Sequence, residues 1–467
     1  MRFRFRNLFI RQPIAWVSRE HEGGPTLRRT LGWPALTAIG LGTMLGGIFP
    51  TIGAGAHAAG PAVILAYGLS GLVSLCVALC YAEFASMVPV AGSAYTYAYA
   101  TLGEVVAWII GWDLILEYGL SVAPTASSWS DYAQHLLASV GVTLPAWLQT
   151  GDILHGHVDP IAAGIVVVIT LLVALGIRES ANVNGALVVF QILTMIVFIA
   201  ATIHAVHPAY LHPFAPSGWH GIVASTALVF YAYIGFDTVT VASEEAVNPH
   251  KHVPVGIILA LIIGALLYVA LAFLTVSVMP YGKLSDGAAM LDALKAATTS
   301  PLAFWIVALG GVAGNTTVML TSLLGQIRIF YVMARDRMLP PSVAKIHPRF
   351  RTPVTMTLIT GAIVAVLAAG LPLTDLLNFV NIGTLSAFAI VCAGVLVLRI
   401  LQPDAERPFR APLVWVFTIL GALSCVYLIT GLSLPTWIRF GVWFVIGIAI
   451  YAVYGYRKSH LRTQQNT

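Results

Sequence analysis

The chain has 467 residues, 58% of them hydrophobic and only 9% charged, and its mean hydropathy is +0.87. An ordinary soluble domain carries about 25% charged residues, so this composition excludes a soluble enzyme, a disordered chain and a nucleic-acid binder. The net charge of +5 needs another explanation, and the placement of the charges supplies it.

A spanning helix needs about 20 mostly apolar residues. Twelve such segments follow one another, near 34–59, 62–88, 102–137, 160–177, 184–206, 221–243, 254–279, 302–334, 353–370, 374–400, 412–432 and 436–456. They are continuous rather than alternating, which predicts an all-α polytopic membrane protein and not an outer-membrane barrel. Alternating the loops from the N-terminal tail puts all but three of the 24 Lys and Arg residues on the tail's own side. Only Lys283, Lys295 and Arg439 fall opposite. Basic loops stay inside, so both termini are predicted in the cytoplasm. The first 33 residues are too long and too Arg-rich for a secretory signal, and no convincing cleavage site follows.

Cys76, Cys80, Cys392 and Cys425 lie in apolar stretches. Cys76 and Cys80 are four apart, share a helix face and are not a CxxC pair, so all four read as small buried apolar residues. His155, His157, His204, His207, His212 and His220 fall in two predicted outside loops. They read either as a metal or pH-sensing group or as polar filler, and no acidic cluster or i,i+4 pair supports ligation.

Spans 1 and 6 are interrupted. Span 1 reads GLGTMLGGIF over Gly40–Phe49, and span 6 reads FYAYIGFD over Phe230–Asp237. A single glycine-bearing stretch is accounted for by close helix packing. Two, at corresponding positions of spans 1–5 and 6–10, predict an inverted repeat with a central binding site. Unwound backbone in lipid must face a polar ligand or a water-filled cavity. Helix N-termini suit a carboxylate and free carbonyls suit an ammonium, so one site offering both favours an amino acid. Backbone recognition is expected at Thr43, Gly46, Gly47 and Ile48 and at Phe230, Ala232 and Ile234. Among the nearby aromatics Phe49, Phe230, Tyr231 and Tyr233, Phe230 is the first choice for a lid over the substrate.

An ionisable group inside a span costs about 2.5–3.5 kcal/mol at the helix centre, which makes each one a candidate. Asp113 and Glu117 are four apart on span 3 and share a face. Asp237 follows the span 6 break, either capping the next half-helix or acting functionally. Glu83, Glu104, Glu244 and Glu245 lie at cytoplasmic ends as gate or loop contacts, with plain solvation expected for Glu104. Asn315 lies within span 8, where it either polarises the side-chain pocket or hydrogen-bonds between helices.

Further blocks are AGPAV (Ala59–Val63), CYAEFASMVPVAGSAYTYAYATLGE (Cys80–Glu104), GWDLILEYG (Gly111–Gly119), EEAVNP (Glu244–Pro249), GQIRIFYVMARDRMLP (Gly325–Pro340) and NIGTLSAF (Asn381–Phe388). With the two breaks, these resemble the amino acid–polyamine–organocation superfamily of permeases, in particular bacterial relatives of the cationic amino acid transporters. The resemblance implies ten core helices in two inverted five-helix repeats, 34–206 and 221–400. These lie between cytoplasmic tails 1–33 and 457–467, with two further helices in 401–456. It also implies secondary transport of amino acids across the inner membrane, without a cofactor. Two departures stand out. Span 1 has Gly46-Gly47-Ile48-Phe49 where the family usually has GTGIF, one residue longer. Proton-coupled relatives carry a lysine in span 5, in a stretch similar to RESANVNGALVVFQI (Arg178–Ile192), and Gln191 stands at that position. Coupling through Glu117, uncoupled or exchange-type carriage, and a cation in the vacated lysine site all remain open. An intramembrane enzyme is disfavoured by the lack of HExxH, GxSxG or paired aspartates. No filter loop points to a channel, and no P-loop is present. The expected partners are an amino acid, H+ and the lipid bilayer, with no nucleic acid.

Overall fold

The computed structural model describes residues 29–87, 93–176, 181–350 and 352–459. The arginines up to Arg28, together with Arg178, Arg351, Arg462 and the side chain of Glu244, lie outside the described residues. Helices build the rest. Among the described residues the only strand-like pairings are two isolated bridges, Leu31 with Ala246 and Asp152 with His157.

The first apolar segment is α1 (Trp33–Met44), a 3-10 turn (Leu45–Ile48) and α2 (Ile52–Ala59). Then come α3 (Val63–Met87), the short α4 (Ser93–Thr101), α5 (Glu104–Leu120) running on into α6 (Val122–Ser139), α7 (Pro160–Ala174) and α8 (Ala181–Thr202). The second half opens with α9 (Gly218–Val229), a 3-10 turn (Phe230–Tyr233) and α10 (Thr238–Val241). It continues through α11 (Pro249–Val278), α12 (Ala289–Ala297), α13 (Pro301–Arg335), α14 (Val354–Gly370) and α15 (Leu373–Leu401). Two further helices follow, α16 (Val414–Thr430) and α17 (Leu434–Ile450), the second running on through short turns to Lys458. Local chemistry sets several of these starts. Proline stands in the first turn of α1, α7, α11 and α13, where its missing N–H costs nothing. Asp159 caps α7 by accepting from Ala162 N at 2.9 Å.

Among the described residues eight helical stretches are long and apolar enough to cross a membrane, and four shorter apolar ones accompany them: Trp33–Ile48, Pro160–Ala174, Val354–Gly370 and Val414–Thr430. These occupy the segments read from the sequence. Loops that an up-and-down path puts at the same end also meet in space. At the Lys/Arg-rich end, His250 Nδ1 lies 2.7 Å from Ser86 O and Thr352 Oγ1 donates to Ala174 O. At the Lys/Arg-poor end, His207 N donates to Ser277 O and Asp159 N to Ala369 O. The fold is that of a multi-pass all-α membrane protein. Leu72, Leu266, Val366 and Val445 are exposed, which makes sense only where lipid is the solvent.

Two polar ties hold the Lys/Arg-rich end. Glu83 of α3, 1% exposed, meets Arg399 of α15 bidentately at 2.8 and 2.7 Å and also accepts from Ala411 N. Arg407 Nε stands 3.4 Å from the same carboxylate. Removing one partner of a buried pair strands the other charge, at about 3–5 kcal/mol. Glu83→Ala is therefore expected to lower the thermal unfolding midpoint of the purified protein sharply, whereas a midpoint within error of wild type would make the tie ornamental. Glu104 supplies the second tie and is a correction. It is buried rather than solvated, accepting from Tyr451 OH at 2.8 Å and from Ser459 Oγ. Chain from beyond α17 therefore docks where α5 begins, and Trp112 stacking on Trp443 at 4.3 Å extends that contact.

Candidate functional site

The two interruptions face each other. A Cβ on Gly47 would stand 2.8 Å from Ala232 Cα, and one on Gly46 would stand 2.8 Å from Gly314 O and closer still to Val318. Glycine is needed here for backbone approach. Gly235 has a φ of +115°, a left-handed conformation that sends the chain into α10. The Thr43 hydroxyl lies 2.8 Å from Gly235 O and 3.0 Å from Thr238 Oγ1, which ties the end of α1 to the second break. Tyr268 of α11 places its hydroxyl 2.5 Å from Met44 O and 2.9 Å from Ala232 O, one carbonyl from each break. Just before the second break, Asn381 of α15 donates to Ala227 O and Leu228 O.

Between the breaks, α5 and α13 lies a cavity lined by Thr43, Gly47, Glu117, Tyr118, Ser121, Tyr231, Ile234, Gly235, Thr238, Val318, Thr321 and Ser322. Its free interior is small. That is room for a few waters, so a substrate enters only as the walls move apart. Glu117 supplies the one carboxylate in the wall. It is fully buried, and neither of its oxygens makes a well-formed hydrogen bond. Thr384 stands beside it but turns its hydroxyl to Val380 O. Asp113, one turn along α5, is likewise buried with both oxygens unsatisfied. Such a wall, with a bare carboxylate, hydroxyls and interrupted backbone, can take up an ammonium or a proton on one side and a carboxylate on the other.

The profile of the family described as amino acid permease matches residues 31–456. The chain belongs to that family. Over 465 residues it is 42% identical to the branched-chain amino acid permease BcaP of Bacillus subtilis (strain 168), covering 98% of both chains. Over 459 residues it is 40% identical to the methylthioribose transporter of the same organism, covering 97% of this chain and 99% of that one. Human cationic amino acid transporter 4 is 37% identical over 384 residues, 80% of this chain and 60% of the human one. These relatives are transporters and permeases, and the chain is a transporter of amino acids rather than an enzyme.

Of the residues singled out in the permease's sequence, Thr43, Gly47, Ile234 and Glu117 line the cavity. Gly46, Ile48, Phe230 and Ala232 are buried but do not line it, and Phe230 packs edge-on against Phe388 at 6.0 Å. Of the four aromatics weighed in the sequence, Tyr231 lines the cavity, and its hydroxyl lies 2.8 Å from Ser121 O and 2.7 Å from Thr125 Oγ1. Asn315 lies outside the wall, with Nδ2 3.2 Å from Ser128 Oγ and Oδ1 unsatisfied. Gln191 is buried with both amide atoms unsatisfied, beside Gly314. Asp237 occupies the N-cap position of α10 but makes no cap hydrogen bond. Its carboxylate accepts instead from Tyr118 OH at 2.9 Å, which speaks against the capping alternative and leaves the other. Sequence reasoning missed Tyr118, Ser121, Thr238, Val318, Thr321 and Ser322. A signal was present: Glu117, Ser121 and Thr125 stand at i, i+4 and i+8, and Gly314, Val318 and Thr321 at i, i+4 and i+7, each a single helix stripe.

Proposed function

We propose that this permease carries amino acids across the cytoplasmic membrane by alternating access, coupled to protons, with both termini in the cytoplasm. Its two inverted five-helix repeats, 34–206 and 221–400, move around the paired breaks. The substrate's carboxylate and ammonium are held by Thr43, Gly46, Gly47 and Ile48 together with Phe230, Ala232 and Ile234. Glu117 carries the proton, Gln191 occupies the place of the family's lysine without titrating, and Asp237 completes the polar surroundings. What carries this reading is the bare Glu117 carboxylate on the wall between the two breaks. Gln191 favours a second reading, exchange-type or uncoupled carriage. Uptake into proteoliposomes with and without an inward proton gradient separates them, because only the coupled carrier accumulates substrate.

We further propose a broad substrate range that includes polar and cationic side chains, with Glu117 as the negative group and Asn315 bordering the side-chain pocket. The relatives' names, a branched-chain permease, a methylthioribose transporter and a cationic amino acid transporter, are in keeping with a variable pocket on a common scaffold. Asn315→Met is expected to remove polar amino acids from the competition profile while apolar ones still compete. An unchanged profile would remove Asn315 from the pocket, and a wild type in which only small apolar amino acids compete would sink the cationic part.

A further inference from the structure

The two ends of the cavity differ. Thr43, Ile234, Thr238, Thr321 and Ser322 line it toward the Lys/Arg-rich end, and all five are half-buried. Toward the other end two rings lie across it. Phe49 follows the first break, and its ring meets that of Tyr132 of α6 edge to face at 5.4 Å. Both residues are 0% exposed. Helix α13 makes room for them with two buried glycines. A Cβ on Gly314 would stand 2.7 Å from Phe49 Cε2, and one on Gly311 would overlap the Tyr132 ring. Gly314 and Gly311 lie about one and two turns beyond Val318 of the cavity wall, and Tyr132 about three turns beyond Ser121, each toward the Lys/Arg-poor end.

Gln191 of α8 comes to the same place. Its Nε2 lies 3.5 Å from the point where a Gly314 Cβ would stand, the point that Phe49 also crowds. The side chain is fully buried, and among the described residues neither amide atom has a hydrogen-bond partner. The Tyr132 hydroxyl is likewise buried without one. A side-chain amide brings two N–H donors and a carbonyl acceptor, and a buried polar group left unpaired is costly. What occupies the notch beside it is an aromatic hydrocarbon, which offers neither a carbonyl nor an N–H in return. The closed end therefore contains two opposing contributions. Close packing of the Phe49 and Tyr132 rings holds it shut, and the stranded Gln191 amide works against them.

We propose that Phe49 is the plug that shuts the cavity toward the Lys/Arg-poor end, and that Gln191 sets how readily the plug lifts. With the ring seated in the Gly314 notch, the amide is stranded. With the ring raised, water entering from that end reaches the amide and pairs with it. The two side chains thus act with opposite sign on one equilibrium between shut and open. The inference rests on the alternating-access reading above. It does not depend on which group carries the coupling proton or on which substrate is carried.

The test is thiol labelling of the full-length protein in sealed membrane vesicles of both orientations, with a charged methanethiosulfonate that does not cross lipid. Ser121→Cys is the reporter, buried in the cavity wall between the two ends. The four native cysteines are buried, and the protein without the reporter gives their background. A cysteine at Leu154, exposed in the loop between α6 and α7, identifies the Lys/Arg-poor face. Phe49→Leu keeps the apolar bulk but loses the ring-edge contact, so labelling of the reporter from that face is expected to rise about fivefold. Gln191→Met removes the stranded amide and keeps the length of the chain, so labelling from that face is expected to fall about tenfold. Neither variant is expected to mimic the other, and Phe49→Leu is not expected to label faster from the Lys/Arg-rich face. Phe49→Leu labelling at the wild-type rate, or faster from both faces alike, overturns the plug. Gln191→Met labelling from the Lys/Arg-poor face at the wild-type rate or faster overturns the part given to Gln191. A reporter reached from one face only in wild type and both variants overturns alternating access itself, and the inference with it.

Discussion

Gly47→Val is expected to abolish transport while leaving a folded protein. The added side chain has no soft neighbour to push aside, because the Ala232 backbone stands 2.8 Å from the first new carbon. Overpacking of this kind costs about 1–3 kcal/mol when neighbours can shift. Here the shift drives the two breaks apart, and the carbonyls and N–H groups on them lose the registration a zwitterion needs. Gly68→Val is the matched control, since a Cβ on Gly68 meets nothing within 4 Å. Uptake in proteoliposomes should fall at least about 100-fold for Gly47→Val, on the reasoning that a small misplacement of positioning groups costs that much, and stay near wild type for Gly68→Val. Substrate-induced thermal shift should vanish in the first and persist in the second. A Gly47→Val protein that folds and binds with unchanged affinity would show that the site lies elsewhere.

Glu117→Gln is expected to uncouple. The amide keeps the shape and some hydrogen-bonding capacity of the carboxylate but carries no titrating proton. With one proton per substrate, a gradient of one pH unit supports about tenfold accumulation, because a pH unit corresponds to about 1.4 kcal/mol. Wild-type proteoliposomes under an imposed inward gradient should approach that ratio. The variant should only equilibrate, yet still exchange labelled for unlabelled substrate across the membrane. Absence of gradient-driven accumulation in wild type removes proton coupling. Equal accumulation in the variant moves the proton to another group, with Asp113 next in line, since it too is buried with unsatisfied oxygens.

The two breaks were legible because glycine is a statement about backbone, readable where it stands. Gly47 and Gly235 announce close approach and a left-handed turn before any partner is known. Which of two adjacent aromatics faces the cavity is not written that way. Phe230 and Tyr231 share one 3-10 turn, and their directions depend on how that turn sits against α5 and α15, so the ring that lines the wall came from the structure. Glu104 failed for a related reason. At the start of a helix near a basic loop it reads as solvated, and its burial is made by Tyr451 and Ser459 from the far end of the chain. Asp237 shows the same limit in miniature. Its position at a helix start was correct, but the Tyr118 hydroxyl, 119 residues away in sequence, took the carboxylate that a cap would have used.

Tyr268 carries one hydrogen and faces two acceptors, Met44 O and Ala232 O. A phenol can donate to only one of them at full strength, so the pair is permanently one donor short of saturation at that hydroxyl. In water such a deficit is trivial. In a lipid-enclosed interior, where backbone carbonyls find few donors, it is a standing thirst for N–H or O–H hydrogen. Tyr268 thus ties the two breaks together through one shared hydrogen, so a movement that parts them leaves one of the two carbonyls without its donor.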